Sequence, residues 1–354
     1  MRDTVINSFY YGCDALPGGV TPYEAPVGFA FGEPDEPTSF EVVVVDNHTQ
    51  RVFTYGFTLD GAGVEEEWLN SQAKSARSSR RVFYRKRAED KDEFIGFPAA
   101  EHKYLAKMLR PQTLLLSLGG MLNISTCTEM YRWFFDSGAF DQTTVPEFWG
   151  QLEEKDQDAL VDFLACFDET LVGVDIQRQS EGHVPLRITV VHQVPESKNH
   201  VRFLLHCEGK GVQKLVALYP FIHRALQRGS FLIIDDLDVH LHPLAVRLLI
   251  SFFSDPVSNP HHAQLVFTCH QSWHLASGAL RRDEIWFVQK KEDGTSSLYS
   301  LADYKDDEGA KVRKDEPWQK NYLVGMYGAI PALRMPSLVA VHAVTDREVP
   351  SDEE

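Results

Sequence analysis

No apolar run in this chain approaches the roughly 20 residues a helix needs to cross a bilayer, and the opening MRDTVINSFYYG has no basic stretch leading into an apolar one. Neither a membrane span nor a secretory leader is expected. Cysteine is scarce: five residues, Cys13, Cys127, Cys166, Cys207 and Cys269, lie far apart with no CxxC pair. An odd, scattered set favours reduced thiols over a disulfide framework or a zinc ribbon, with the cytoplasm as the expected compartment. Positive charge is also in short supply, 35 Lys and Arg against 51 Asp and Glu, for a formal net charge of −16. That balance works against nucleic-acid binding by the whole surface, because neutralising phosphates needs concentrated cations. There is no GxSxG elbow, which sets aside a Ser/His/Asp hydrolase. His240, His242, His261, His262 and His274 lack the carboxylate or cysteine that would complete a zinc spacing.

What is present fits an ordinary globular protein, with 43% hydrophobic and 24% charged residues over 354 positions, enough for one large domain or two smaller ones. Three regions differ in texture. Residues 1–98 are β-rich, with apolar or β-branched runs at 27–31, 40–45 and 52–59 between Gly, Pro, Asp and Asn turns. Within them, residues 74–87 (KSARSSRRVFYRKR) concentrate seven Lys and Arg before a cluster of acids. This segment reads either as a solvated strand edge or as a local contact for nucleic acid or an acidic partner. Residues 99–200 form a helical insertion with connecting strands. Helical spacings cover 101–109, 127–135 and 155–167, and strand-like runs follow at 171–175 and 186–192.

Residues 201–345 give the clearest pattern, before an acidic tail at 346–354 that is expected to be disordered. Strands are expected at 201–205, 231–234, 263–268 and 285–288. Helices are expected at 211–227, kinked by Pro220, and at 244–253, the second apolar nearly all round and so expected to be buried. Alternating strands and helices imply right-handed crossovers and a mainly parallel sheet, with active groups at the carboxyl ends of its strands. FLII reads as a strand buried on both faces. It runs directly into Asp235 and Asp236, and the next strand runs into Cys269-His270. Two acids and a histidine at one sheet edge suit a divalent cation and a water aimed at a phosphate. Trp286 and Phe287 are expected in the core, and 325–331 as a turn.

The stretches FLIIDDLDVHLHP, QLVFTCHQSWHL, LRRDEIWFVQK, LYSLADYK and NYLVGMYGAIP resemble the stand-alone, non-transporter ABC-class ATPases of bacteria, OLD-like and similar to chromosome-maintenance ATPase heads. The resemblance runs from about 201 to 333 and extends more weakly to PTSFEVVV and VFYRK. It implies an α/β fold with an ABC-ATPase-like, mainly parallel sheet flanked by helices, an N-terminal antiparallel β region and the helical insertion. It also implies ATP and Mg²⁺ as cofactors. Asp235 would be the Mg-binding Walker B acid, Asp236 would take the position of the catalytic Glu, and His270 would be the switch histidine. His242 would lie in the loop that contacts a second subunit. Glu208, Gly209, Lys210 and Gly211 would form the signature segment that reaches that subunit's ATP, with helix N–H groups directed at phosphate. A homodimer acting on a separate effector, in an antiphage or toxin–antitoxin setting, follows by the same analogy. The family's GxxxxGK[ST] loop is absent from the sequence. Gly209-Lys210 is followed by Gly211, and 117–120 (SLGG) has no Lys after it. Asp236 in place of Glu, Gly209 in place of a signature Ser and Met326 in place of Arg are further departures. An upstream start carrying the loop and a degenerate pseudo-ATPase both account for these features.

Overall fold

A computed structural model describes residues 1–11, 23–24, 36–46, 49–89, 91–140, 154–177, 187–197, 199–276, 278–306, 308–331 and 333. The run expected at 27–31, Cys13 and the acidic tail lie outside the described residues. In chain order the elements are α1 (Arg2–Asn7), β1 (Thr38–Val45), β2 (Val52–Asp60), β3 (Gly63–Gln72), β4 (Arg80–Lys86), β5 (Lys91–Glu93), α2 (Ala99–Met108), α3 (Leu115–Met121), α4 (Ser125–Asp136), β6 (Gly138–Phe140) and α5 (Glu154–Ala165). There follow β7 (Leu171–Gln177), β8 (Arg187–Gln193), β9 (His200–Leu204), α6 (Lys210–Arg228), β10 (Phe231–Ile234), α7 (Pro243–Ser254), β11 (Gln264–Phe267), β12 (Trp286–Lys290), β13 (Ser296–Ser300) and α8 (Trp318–Leu323). The architecture is mixed α/β, and the chain divides into two compact units, Met1–Ala279 and Leu280–Glu354. Among the described residues no helix is long and apolar enough to cross a membrane.

The first unit opens with a five-stranded antiparallel sheet in the order β1-β2-β3-β4-β5. Its core face carries Tyr55, Phe57, Leu69 and Phe83, all fully buried. They share one cluster with Leu114, Leu115, Leu116 and Leu118 around α3 and with Cys127, Met130 and Phe134 on α4. The last three recur at helical spacing, so a single stripe of α4 faces the sheet. The paired glycines of the SLGG stretch have a packing reason. A Cβ on Gly120 would lie 2.2 Å from the Tyr131 ring, and one on Gly119 would lie 2.5 Å from Cys127 Sγ. The stretch is a buried helix turn pressed on α4.

Two smaller sheets complete this unit. β7-β8-β9 is antiparallel, and β11-β10-β6 is parallel. In the parallel sheet Leu232 lies beside Leu265 and Gly138, and Ile234 beside Phe267 and Phe140. The amphipathic helix α6 buries Leu215, Val216, Leu218, Tyr219, Ile222 and Ala225. It continues as one helix through Pro220 and ends at Gly229, whose φ of +64° is the left-handed cap that glycine adopts without strain.

Several expectations are corrected here. β6, beside β10, was hidden in a span read as helical, because three residues directly after α4 show no period of their own. The strand at 200–204 joins the antiparallel sheet through pairs such as Val190 with Phe203. β10 is not buried on both faces: Leu232 and Ile234 are covered, but Ile233 is 41% exposed, as is Val266 beside it at 50%. α7 is not buried all round either. Only Val246, Leu249 and Ile250 are buried, and Leu244 is 58% exposed.

In the second unit β12 and β13 form an antiparallel hairpin, so the strand expected at 285–288 does not extend the parallel sheet. The period of two places Phe287 in the core and leaves Trp286 55% exposed, which overturns half of that pair's expectation. Phe287 stacks on Tyr322 with ring centroids 5.3 Å apart. The turn expected at 325–331 is present, with positive φ at Gly325, Gly328 and Ala329, and Tyr299 donates its hydroxyl hydrogen to the Tyr327 carbonyl at 2.5 Å.

Candidate functional site

β10 and β11 are parallel neighbours in register, so the residues that follow them emerge side by side. Thr268 N–H donates to Ile234 O at 3.1 Å, Leu237 N–H to Thr268 O at 3.1 Å and Asp235 N–H to Phe140 O at 3.3 Å. The Thr268 hydroxyl ties the two acids together. It donates to Asp235 Oδ1 at 2.5 Å and accepts the Asp236 N–H at 2.8 Å. Asp236 has a left-handed backbone, φ +51°, which turns its carboxylate across the sheet edge. Its Oδ1 lies 3.0 Å from His270 Nε2, with the His270 side chain 79% exposed and that of Asp236 41%. A polar contact so open to water adds little to stability. Its importance is the placing of an acid and an imidazole at one exposed edge.

Three neighbours that sequence reasoning passed over hold this edge from beneath. Thr268 is the first. Asp238, only 3% exposed, accepts the His270 N–H at 3.1 Å and the Gln271 N–H at 2.9 Å, so it fixes the backbone that carries the histidine. Burial, reinforced by the Asp238 charge, pushes the neighbouring Cys269 thiol up to about 12. Lys214 of α6 is 6% exposed, and its ammonium donates to Asp236 O at 2.5 Å and to Val239 O at 2.9 Å. Burial lowers its pKa, against the opposing charges of Asp238 and Asp236. The DxD spacing after an apolar strand is the one sequence signal that could have pointed to Asp238. Lys214 carries no local signal, because its role depends on α6 crossing beneath the loop.

The remaining candidates lie around the start of α6. Gly209 is its N-cap, with no side-chain cap, and a Cβ there would meet nothing within 4 Å. Backbone N–H groups in the first turn of this 19-residue helix therefore have no intrahelical acceptor, an arrangement that suits an anion. Lys210 Nζ donates to Gln213 Oε1 at 3.2 Å. Glu208 turns toward its own unit, with Oε1 3.0 Å from His192 Nε2, and Thr170 Oγ1 meets His192 Nδ1 at 3.0 Å. Gly211 packs on the loop after β10, where a Cβ would lie 3.1 Å from His240 O. His242 accepts the Leu244 N–H on Nδ1 at 3.2 Å and so caps α7, with Pro243 in the first helical position. Asp235, Asp236 and His270 thus form one cluster. Gly211 abuts the loop that follows it, and Glu208 and His242 serve local contacts in this conformation.

The strand-end acids have the chemistry that Mg²⁺ binding needs. Asp235 is an exposed carboxylate at a strand's carboxyl end, of the kind that Mg²⁺ shares with phosphate oxygens. Among the described residues no group of three or more His, Cys, Asp or Glu converges into an all-protein metal cage.

A family model described as "AAA domain, putative AbiEii toxin, Type IV TA system" matches residues 4–272, a span that takes in the antiparallel sheet, the parallel sheet, both acids and His270. A search of curated proteins finds no match. Since the family model covers most of its length, the chain belongs to this AAA-domain family and carries an AAA/ABC-type ATPase-like domain.

Proposed function

We propose that this domain binds and hydrolyses ATP, and that nucleotide drives two copies together head to tail as a switch for a separate effector, in a toxin–antitoxin or antiphage setting. The observation that carries this reading is the convergence of Asp235, Asp236, Thr268 and His270 at the carboxyl edge of the parallel sheet. Asp235 would hold Mg²⁺, which when bound neutralises charge on the phosphate oxygens. Asp236 accepts a hydrogen bond from the attacking water, and His270 donates one to a terminal phosphate oxygen. The open start of α6 would face the nucleotide of the second copy.

The phosphate cradle is the missing part. Among the described residues β11 is paired on one side only, and Ile233 and Val266 are bare on one face of that sheet. Such an edge and face suit an added strand and helix, the elements that carry a GxxxxGK[ST] loop. An upstream in-frame extension is the source proposed here. Calorimetric titration with Mg-ATP of this 354-residue chain, and of a version extended upstream, tests this. The extended form should bind, and failure of both would end the ATPase reading. Gly209→Trp is the clean probe of the dimer, because Gly211 already presses on its own loop. The variant should stay folded and lose ATP-dependent dimerisation in light scattering, and a dimer that persists would contradict the arrangement.

The second reading, a scaffold without turnover, draws on one observation: the Asp236 carboxylate is already engaged by His270. Binding of Mg-ATP without release of phosphate would favour it. The basic segment is the candidate nucleic-acid contact. Arg81 pairs with Glu93, Arg87 with Asp60, Arg85 donates to the Thr113 carbonyl and Lys86 is half-buried and also engaged, while Lys74, Arg77 and Arg80 lie on the exposed hairpin end. Retention on DNA or RNA at low salt, lost on charge reversal of those three, is the expected result.

A further inference from the structure

The loop that carries Asp236 holds two residues with left-handed backbones. Asp236 at φ +51° and His240 at φ +66° are both left-handed, a conformation that Asp and His adopt more readily than most side chains but that only glycine takes without cost. Something must hold it. The bonds within the loop are short-range ones, from Val239 N–H to Asp236 O at 3.2 Å and from Leu241 N–H to Asp238 O at 3.1 Å. Thr268 at the end of β11 tethers the turn by accepting the Asp236 and Leu237 N–H groups, and Lys214 of α6 adds an ammonium that draws the Asp236 and Val239 carbonyls, three residues apart, to a single point.

A lysine buried to this extent is expensive; the nearby charges of Asp238 and Asp236 offset part of that cost, while its hydrogen bonds go to backbone carbonyls. A hydrocarbon side chain of similar length would fill the space without that cost. What only a multi-donor cation supplies is convergence, because carbonyl dipoles that point together repel unless a positive charge lies between them. Lys214 is also placed one helical turn after Lys210, so it couples the open start of α6 to the acid at the sheet edge.

We propose that Lys214 is a positioning residue: its ammonium holds the left-handed turn that aims Asp236 at His270, and so links the first turn of α6 to the orientation of that acid. The catalytic part of this inference rests on the ATPase reading, whereas the backbone part stands without it. A chain lacking the cation keeps α6 and β10 but lets the 236–241 turn open. An event that moves the start of α6 also moves Asp236.

Hydrogen–deuterium exchange by mass spectrometry on the full chain tests the backbone part. In Lys214→Met, exchange at 236–241 and 269–271 should rise about tenfold or more, with residues 115–135 unchanged, and Lys214→Arg should recover part of the protection. Unchanged protection at 236–241 in a folded Lys214→Met protein would overturn the proposal. Asp236→Gly supplies an independent arm, since glycine takes positive φ without cost. The Lys214→Met effect should shrink several-fold in the Asp236→Gly background. If Lys214→Met alone fails to fold, the double variant should recover folding. An effect of equal size in both backgrounds, or a double variant that also fails to fold, would show that Lys214 merely packs α6. In a preparation that hydrolyses ATP, Lys214→Met should lower kcat about tenfold with KM little changed, and an equal loss through KM would refute the link to Asp236. If neither this chain nor the upstream-extended form turns over ATP, the ATPase reading fails while the exchange result still decides the role of Lys214.

Discussion

Two carboxylate sites of the first unit make opposite use of the same chemistry. Glu67, on β3, is fully buried and saturated. It accepts the Leu115 and Leu116 N–H groups at 2.7 and 3.0 Å and the Tyr55 hydroxyl at 3.0 Å, with Arg85 Nη1 3.7 Å away. Asp236, at the end of β10, is open to solvent, is set by a left-handed backbone and has one exposed imidazole for a partner. The first acid locks α3 onto the antiparallel sheet and has no capacity left for a ligand. The second contributes little to the fold and is free to exchange partners. Burial with complete satisfaction marks an acid that builds the structure, whereas exposure on a constrained backbone marks one available for chemistry.

The sharpest way to break this contrast is to delete each acid. Glu67→Ala strands two buried N–H groups, a phenol and a guanidinium, and should cost about 3–5 kcal/mol, read from the urea midpoint. Asp236→Ala should leave that midpoint nearly unmoved, yet lower kcat about a hundredfold or more in a preparation that hydrolyses ATP. If the two losses were exchanged, the assignment of roles would be wrong.

A smaller effect comes from pH. Burial raises the Glu67 carboxyl above its ordinary value even though Arg85 and its hydrogen-bond donors favour the anion. The folded protein therefore holds a proton there more tightly than the unfolded chain does. Stability from this group falls as pH rises from the ordinary glutamate value through the raised one. Measured against Glu67→Gln, the wild type's relative stability should decline across that window and be flat on either side, and a rising difference would mean that the donors dominate. The smallest effect concerns thiols. With Cys269 pushed up to about 12, iodoacetamide should modify the exposed Cys166 and Cys207 well before it. Asp238→Asn should speed Cys269 labelling several-fold by removing the nearby charge.

The parts of this molecule legible in the sequence were those written in consecutive residues. FLII followed by two acids, a second strand that runs on into Cys269-His270, and the stripe of α6 are all written locally, and the structure shows the strands and the helix as elements. What stayed hidden was written across distance. β6 is three residues long and is a strand only because β10 is beside it. Thr268, Asp238 and Lys214 act through partners more than 20 residues away. α7 is apolar in composition, but its surroundings cover only one stripe of it. Which strands would pair in parallel was also set by tertiary neighbours: those at 200–204 and 286–290 were expected beside β10 but join antiparallel partners.

The turn at Asp236 also bears on why the acid there is the shorter one. A backbone at φ +51° is tolerated best by Gly, Asn and Asp, whose side chains are absent or short enough to bond locally, and poorly by Glu. An extra methylene at 236 would work against the conformation that brings the carboxylate within 3.0 Å of His270. Under the proposed assignment of Asp236 to the water-orienting position, the shorter acid is the side chain that this turn fits.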